Sequence, residues 1–406
     1  MTNPFADIAN ICFTDFETKA LPGSDPNDSN LKTAGTYRYR KNAFGILQTF
    51  AVGDGPVTAL EVRDFANGAL MWKDVPDAVK RHHDRVMGGK AWYCAFNAGF
   101  DRNVWNECTY DYPRIEPRHM IDMMAQATVS NLAPSLEGMS KNLGRGGKQA
   151  DGKYLISLFC GHGPATPQTH PAEWARFVTY GIGDVVEMRE GFRCTRALTP
   201  DEWEDYFVSE RINERGMAID LAFVERAARI AAYNATVTNE ELIRWTNGQI
   251  TSVTQVQRIA EWVYDRLEDA EARTLLVTEY DEDARVDEDS DDLKVVKKLS
   301  LKKDRIEAVL AFFRARESRD GALGGQDKLI VDVLEARLYG GSSSPAKFSK
   351  MMEQHDEGFL RGQYVFNGAQ QTGRFSSKSV QVQNITRSSL GQHEIAAIEM
   401  IGSLDI

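Results

Sequence analysis

The chain opens with an alternation of apolar and polar positions: NICFTDFET, residues 10–18, is rich in β formers and predicts a strand. The runs AFGILQTFAV and VTALEVRDF, parted by Gly53-Asp54-Gly55, predict two more strands about a turn. A short apolar run, KAWYCAF, predicts a fourth, and NAGFDRNVWNEC after it a helix opened by Asn97. SLEGMSKNLG has helical spacing with Gly144 as its stop. A further helix starts at Pro171 and sets Trp174, Phe177, Val178 and Met188 along a face.

From about residue 200 to 335 the helical period takes over, in DEWEDYFVSERINERG and LAFVERAARIAAYNATVTNEELIRW. The acidic run YDEDARVDEDSDDLK, residues 280–294, reads as a solvated loop between helices. After LYGGSSSPAKF the chain turns rich in hydroxyls and amides. The pattern therefore predicts an α/β domain over residues 1–198, a helical region over 199–338 and a third segment over 339–406.

Composition adds limits. With 406 residues, 42% hydrophobic and 26% charged, the chain has ample material for two or three cores. A net charge of −11 argues against general affinity for nucleic acid. Charge is unevenly placed, however: from Arg337 to Arg387 seven Lys/Arg face three acids. Five scattered cysteines without a C-x-x-C pair suit free thiols in a reducing, cytoplasmic compartment. Cys160, His162 and His170 lie near each other, but their spacing fits no standard zinc finger. No apolar run approaches membrane length, and the N-terminus carries Asp7 and Asp15 in place of a basic leader, so neither a membrane span nor secretion is expected.

The candidate chemistry lies in three acidic places. FTDFET sets Asp15 and Glu17 two apart on the first predicted strand, so both project from one face. NAGFD puts Asp101 at a strand-to-helix junction. YGIGD puts Tyr180 and Asp184 four apart, on one helix face. Each alone is more often structural. Like charges held together are costly without a cation between them, and four carboxylates from these three places make an all-oxygen site for hard cations. Two Mg²⁺ or Mn²⁺ ions about 3.5–4 Å apart can clamp the attacking and leaving oxygens of a phosphodiester displacement.

These stretches resemble the three motifs of the DEDDy 3′–5′ exonucleases, the proofreading class. The resemblance implies a ribonuclease H-like domain, a mixed sheet flanked by helices. Asp15, Glu17, Asp101 and Asp184 would be its metal-binding acids, with Tyr180 orienting the attacking water. Thr18, Leu21, Asn97 and Phe100 fall where relatives contact the 3′-terminal nucleotides.

Further along, GMAID (216–220) and the helices after it resemble the thumb of family A, polymerase I-like, DNA polymerases of the phage type. LYGGSSSPAKF and FNGAQQTGRFSSKSVQVQNITR resemble that family's stretch before the palm. The resemblance implies Arg374 in the minor groove near a primer terminus. Thr372, Ser376, Ser377, Gln383 and Asn384 would hold sugar and phosphate oxygens, with Lys347 on the backbone. The family's palm aspartate, fingers helix and second acidic palm motif do not follow before Ile406. The expectation is thus the exonuclease-and-thumb part of a split polymerase, with DNA and a second polypeptide carrying palm and fingers as partners. Its rivals are a non-catalytic clamp subunit, a free-standing decay nuclease and a truncated piece of an ordinary polymerase. The split also predicts that, unless the partner is bound, Tyr364, Val365, Phe366, Ile385, Leu390 and Ile395 form an exposed apolar patch or the last residues are left mobile.

Overall fold

The computed structural model describes residues 3–145, 151–278, 298–341, 343–369, 371–384 and 392–403. The acidic run, Ile385 and Leu390 lie outside them. The chain divides into two compact units: Met1–Leu221 with Lys350–Ser388, and Ala222–Ser349 with Ser389–Ile406.

The first unit begins with β1 (Ile11–Ala20), α1 (Leu31–Tyr39), β2 (Ala43–Val52), β3 (Thr58–Glu61), α2 (Asp77–Met87), β4 (Trp92–Ala95) and α3 (Ala98–Glu107). There follow β5 (Met120–Asp122), α4 (Met123–Val129), α5 (Leu136–Asn142), α6 (Gly152–Phe159), α7 (Pro171–Cys194), α8 (Pro200–Arg215) and β6 (Met217–Ala218). The sheet order is β3-β2-β1-β4-β5. β1, β2 and β3 pair antiparallel, whereas β1, β4 and β5 run parallel. Parallel neighbours need a crossover, which α2 supplies between β3 and β4 and α3 between β4 and β5.

Both faces of the sheet are covered. One core gathers Phe16, Phe50, Tyr93 and Trp105 with Val79 and Val104. The other faces α6 and α7, with Phe13, Val185, Met188 and Phe192 in one cluster and Leu47, Phe159, Phe177 and Tyr180 in another. α7 buries Trp174, Phe177, Tyr180, Gly181, Asp184, Val185 and Met188, a three-and-four spacing that continues for 24 residues. Gly181 lets it close on β2, where an added Cβ would meet Leu47 Cδ2 at 3.0 Å, and Thr49 Oγ1 donates to the Gly181 carbonyl at 3.2 Å.

The second unit is helical. It holds α9 (Leu221–Trp245), α10 (Val256–Arg266), α11 (Ala270–Leu275), a two-residue ladder of β7 (Val277–Thr278) with β8 (Lys298–Leu299), α12 (Lys303–Asp320), α13 (Gly325–Gly340) and, up to Ser349, α14 (Ser343–Gln354). Leu242, Ile259, Val263, Val309, Phe313 and Val333 form its core.

The chain then returns to the first unit with β9 (Phe359–Leu360), which pairs with β6, and the hairpin β10 (Tyr364–Ala369) and β11 (Arg374–Ser377). Polar ties dock this return. Asp356 is buried and accepts from Lys41 Nζ at 2.6 Å and Arg361 Nη1 at 2.6 Å. The Asn213 side chain bonds both backbone groups of Tyr364, at 3.0 and 2.9 Å. Phe366 packs its ring edge on Tyr206 at 5.7 Å. Of the tail residues expected in an exposed apolar patch, Tyr364, Val365 and Phe366 are therefore half-buried, because α8 gives the strand a partner. Ile395, on α15 (Gln392–Ser403), is exposed, as are its helix neighbours Ile398 and Met400.

Candidate active site

β1 alternates as its sequence predicts: Phe16, Thr18 and Ala20 are buried while Asp15, Glu17 and Lys19 are half-buried. The pairing with β2 shifts register between Glu17 and Thr18, a bulge of the kind that re-aims side chains. Carboxylate atoms of Asp15, Glu17 and Asp184, the last carried on α7, all lie within 4.8 Å of one another. Three carboxylates at that separation repel unless protons or a cation intervene. An all-oxygen donor set of this size fits a divalent ion such as Mg²⁺ or Mn²⁺.

Asp101 is not in this group of three and meets β1 at Phe16, between Asp15 and Glu17. It is fully buried on α3 and its Oδ1 accepts the Phe16 backbone N–H at 3.1 Å. Burial raises its carboxyl well above the usual range, Asp122 and Glu17 add to the rise, and the Phe16 N–H opposes it. Tyr180 is buried one helical turn from Asp184, and its hydroxyl donates to that carboxylate. Burial first, then the charges of Asp184, Glu17 and Asp15, push the phenol up, so it stays a donor at neutral pH. Its ring stacks on Phe177 at 6.1 Å.

Around the acids, Thr18 Oγ1 meets Tyr39 Oη at 2.7 Å, and the Tyr39 ring lies 6.3 Å from Phe100. Leu21 is exposed at the end of the strand. Asn97 caps α3 in the left-handed conformation (φ 67°) without a side-chain bond. What holds Asn97 is Asp122, a residue that the motifs did not flag. Its Oδ1 accepts the N–H groups of Asn97 and Met124 at 2.9 and 2.8 Å, and Tyr206 Oη donates to Oδ2 at 3.2 Å. Burial raises the Asp122 carboxyl to about 6. The sequence signal was an acid directly before the helical run MMAQATV, an N-cap pattern.

Cys160 was also unforeseen in this place: its thiol donates to Glu17 Oε2 at 3.2 Å. His162 bonds Ser29 and His170 bonds Thr169. Lys19 anchors the same loop through the carbonyls of Phe159 and Gly163.

The expected DNA-gripping residues fall in several places. Arg374 is exposed on β11 beside the exposed Phe375, with Ser376 and Ser377 half-buried behind and Thr372 exposed at the hairpin turn. Gln383 and Asn384 are exposed in a short 3₁₀ turn, Val382–Asn384. Lys347 belongs to α14 in the second unit. Among the described residues no helix is long and apolar enough to cross a membrane.

No protein-family model matches the chain. It is distantly homologous to a phage DNA polymerase: the DNA polymerase of Bacillus phage SP02 is 25% identical over 382 residues, which cover 89% of this chain and 50% of that polymerase. Among solved structures, the POL domain of Pol1 from M. smegmatis, in complex with DNA primer-template and dNTP, matches at 10% identity with a TM-score of 0.44. That match covers 92% of this chain and 53% of the other, and a likeness this low carries no argument. The chain thus spans about half the length of each.

Proposed function

We propose that the first unit is a ribonuclease H-like 3′–5′ exonuclease of the DEDDy type, serving a family A DNA polymerase in replication. The observation that carries the reading is the convergence of Asp15, Glu17 and Asp184 carboxylates within 4.8 Å, with the Tyr180 hydroxyl on Asp184 and Asp101 buried behind Phe16. The order of the motifs and the distant likeness to a phage DNA polymerase support it.

In this reading Asp15, Glu17 and Asp184, joined by Asp101, would hold divalent ions. When bound, such ions would supply positive charge at the attacking and leaving oxygens of the scissile phosphodiester. Tyr180 would donate to or orient the attacking water, and Asn97 and Phe100 would position the terminal nucleotide. The helical unit would serve as thumb, and Lys347 and the Arg374 hairpin would grip the primer-template.

The test is a single strand labelled at its 5′ end, incubated with the chain and Mg²⁺ beside an Asp15→Ala, Glu17→Ala double variant. A ladder of shortening products from the wild type alone is expected. Intact DNA that the chain still binds would favour the clamp reading.

A further inference from the structure

The loop that follows α6 is fastened to the C-terminal end of β1. Gly161 donates its N–H to the Thr18 carbonyl at 3.2 Å and accepts the Ala20 N–H at 2.8 Å, so Lys19 and Gly161 form a parallel bridge just past the bulge. Lys19 Nζ donates to the carbonyls of Phe159, at 3.2 Å, and Gly163. His162 Nε2 and Ser29 Oγ are hydrogen-bonded at 2.8 Å. Gly161 takes φ +53°, a left-handed turn that glycine makes without strain. At its start, α6 packs Gly152 on the Tyr180 ring. One helix and its loop therefore touch two residues of the candidate site, Tyr180 at one end and Glu17 at the other.

Cys160 is what this loop delivers. Its backbone N–H closes α6 on the Ile156 carbonyl at 2.9 Å, and its Sγ donates to Glu17 Oε2 at 3.2 Å. A thiol ordinarily keeps its proton at neutral pH, so it is a neutral donor to a charged acceptor. A carboxylate has two oxygens with about four lone-pair sites, so one donor on Oε2 fixes the group and leaves capacity for a cation. Partners of this kind orient metal ligands without touching the metal. We propose, resting on the exonuclease reading for what the site does, that Cys160 is a positioning residue. Its thiol holds the Glu17 carboxylate in the orientation in which it joins Asp15 and Asp184 around a divalent ion.

The test compares the wild type with Cys160→Ala, Cys160→Val and Cys160→Ser, each checked first by thermal unfolding. The probe is Mn²⁺, followed by the paramagnetic resonance signal of the free ion, and only binding that Glu17→Gln abolishes is counted. Cys160→Ala and Cys160→Val should bind that Mn²⁺ about 10- to 100-fold more weakly. Their trimming of a 5′-labelled single strand should need correspondingly more metal for half its maximal rate and recover at saturating metal. Cys160→Ser keeps a donor and should restore the wild-type metal dependence. Equal Mn²⁺ affinity in Cys160→Ala and wild type would overturn the proposal. So would recovery in Cys160→Val, which fills the space without a donor, because the role would then be packing. Failure of Cys160→Ser to recover would contradict a donor role, and a wild type without Glu17-dependent Mn²⁺ binding would remove the ligand to be positioned. A wild type that binds Mn²⁺ through Glu17 yet trims no DNA would instead sink the exonuclease reading, with the Mn²⁺ affinities still deciding Cys160.

Discussion

A methyl group added at Gly152 tests how tightly Tyr180 must be held. Gly152 begins α6 against the Tyr180 ring: an added Cβ would lie 2.6 Å from Cε2 and 3.0 Å from Cδ2. Ordinary carbon contacts begin near 3.5 Å, so the ring must retreat by about 0.5–1 Å. Tyr180 is 2% exposed and stacks on Phe177, itself fully buried, so it has little room. Overpacking of this kind costs about 1–3 kcal/mol of stability. A shift near 1 Å in a positioning group lowers a rate by about 100-fold. Gly152→Ala should therefore unfold a few degrees lower yet lose most of its kcat on single-stranded DNA with Mg²⁺, approaching Tyr180→Phe. Gly325→Ala, whose Cβ meets nothing within 4 Å, should leave both quantities unchanged. The assay is initial-rate trimming of a 5′-labelled strand beside thermal unfolding. Full kcat in Gly152→Ala, with Tyr180→Phe impaired, would refute the claim that the ring position matters.

Further outcomes follow from the same geometry. Asp122, raised to about 6 by burial, binds a proton more tightly folded than unfolded. Its contribution to stability is thus full below about pH 4 and falls by up to about 3 kcal/mol as pH rises through 6. Denaturant titrations should lose that slope in Asp122→Asn, which keeps an acceptor for the Asn97 and Met124 N–H groups. Arg102, with no exposed surface, pairs with Glu210 and Glu214 at 2.8 and 3.0 Å, so Arg102→Met should cost about 3–5 kcal/mol by the same measurement. Asn213→Ala removes both side-chain bonds to the Tyr364 backbone and should cost about 1–3 kcal/mol. Proteolysis should then cut near residues 361–366 well before the sheet is attacked. Chelation by EDTA should abolish trimming and Mn²⁺ should restore it, if the acids act through divalent ions.

Period-2 alternation from Thr14 onward and flanking turn residues made β1 legible, and the three-and-four spacing of its buried face made α7 legible. The left-handed Asn97 and the bulge after Glu17 were not legible, since each depends on a partner strand or a distant acid. Asp122 holds Asn97 from 25 residues away, and Cys160 reaches Glu17 from 143, distances at which one sequence carries no pairing signal. The return of residues 350–388 to the first unit was equally hidden. It rests on Asp356 between Lys41 and Arg361, charges that read in sequence as ordinary surface. The motif acids were visible from residue type and order. Their approach to within 4.8 Å is the part that needed a fold.

The most direct test of the central claim identifies the product. A single strand with a free 3′ hydroxyl, incubated with wild type and Mg²⁺, should release 5′-mononucleotides one at a time, read by mass spectrometry. Asp184→Asn should release none while still binding the strand. Internal cuts, 3′-phosphate products, or equal release by Asp184→Asn would contradict a 3′–5′ exonuclease centred on Asp15, Glu17 and Asp184.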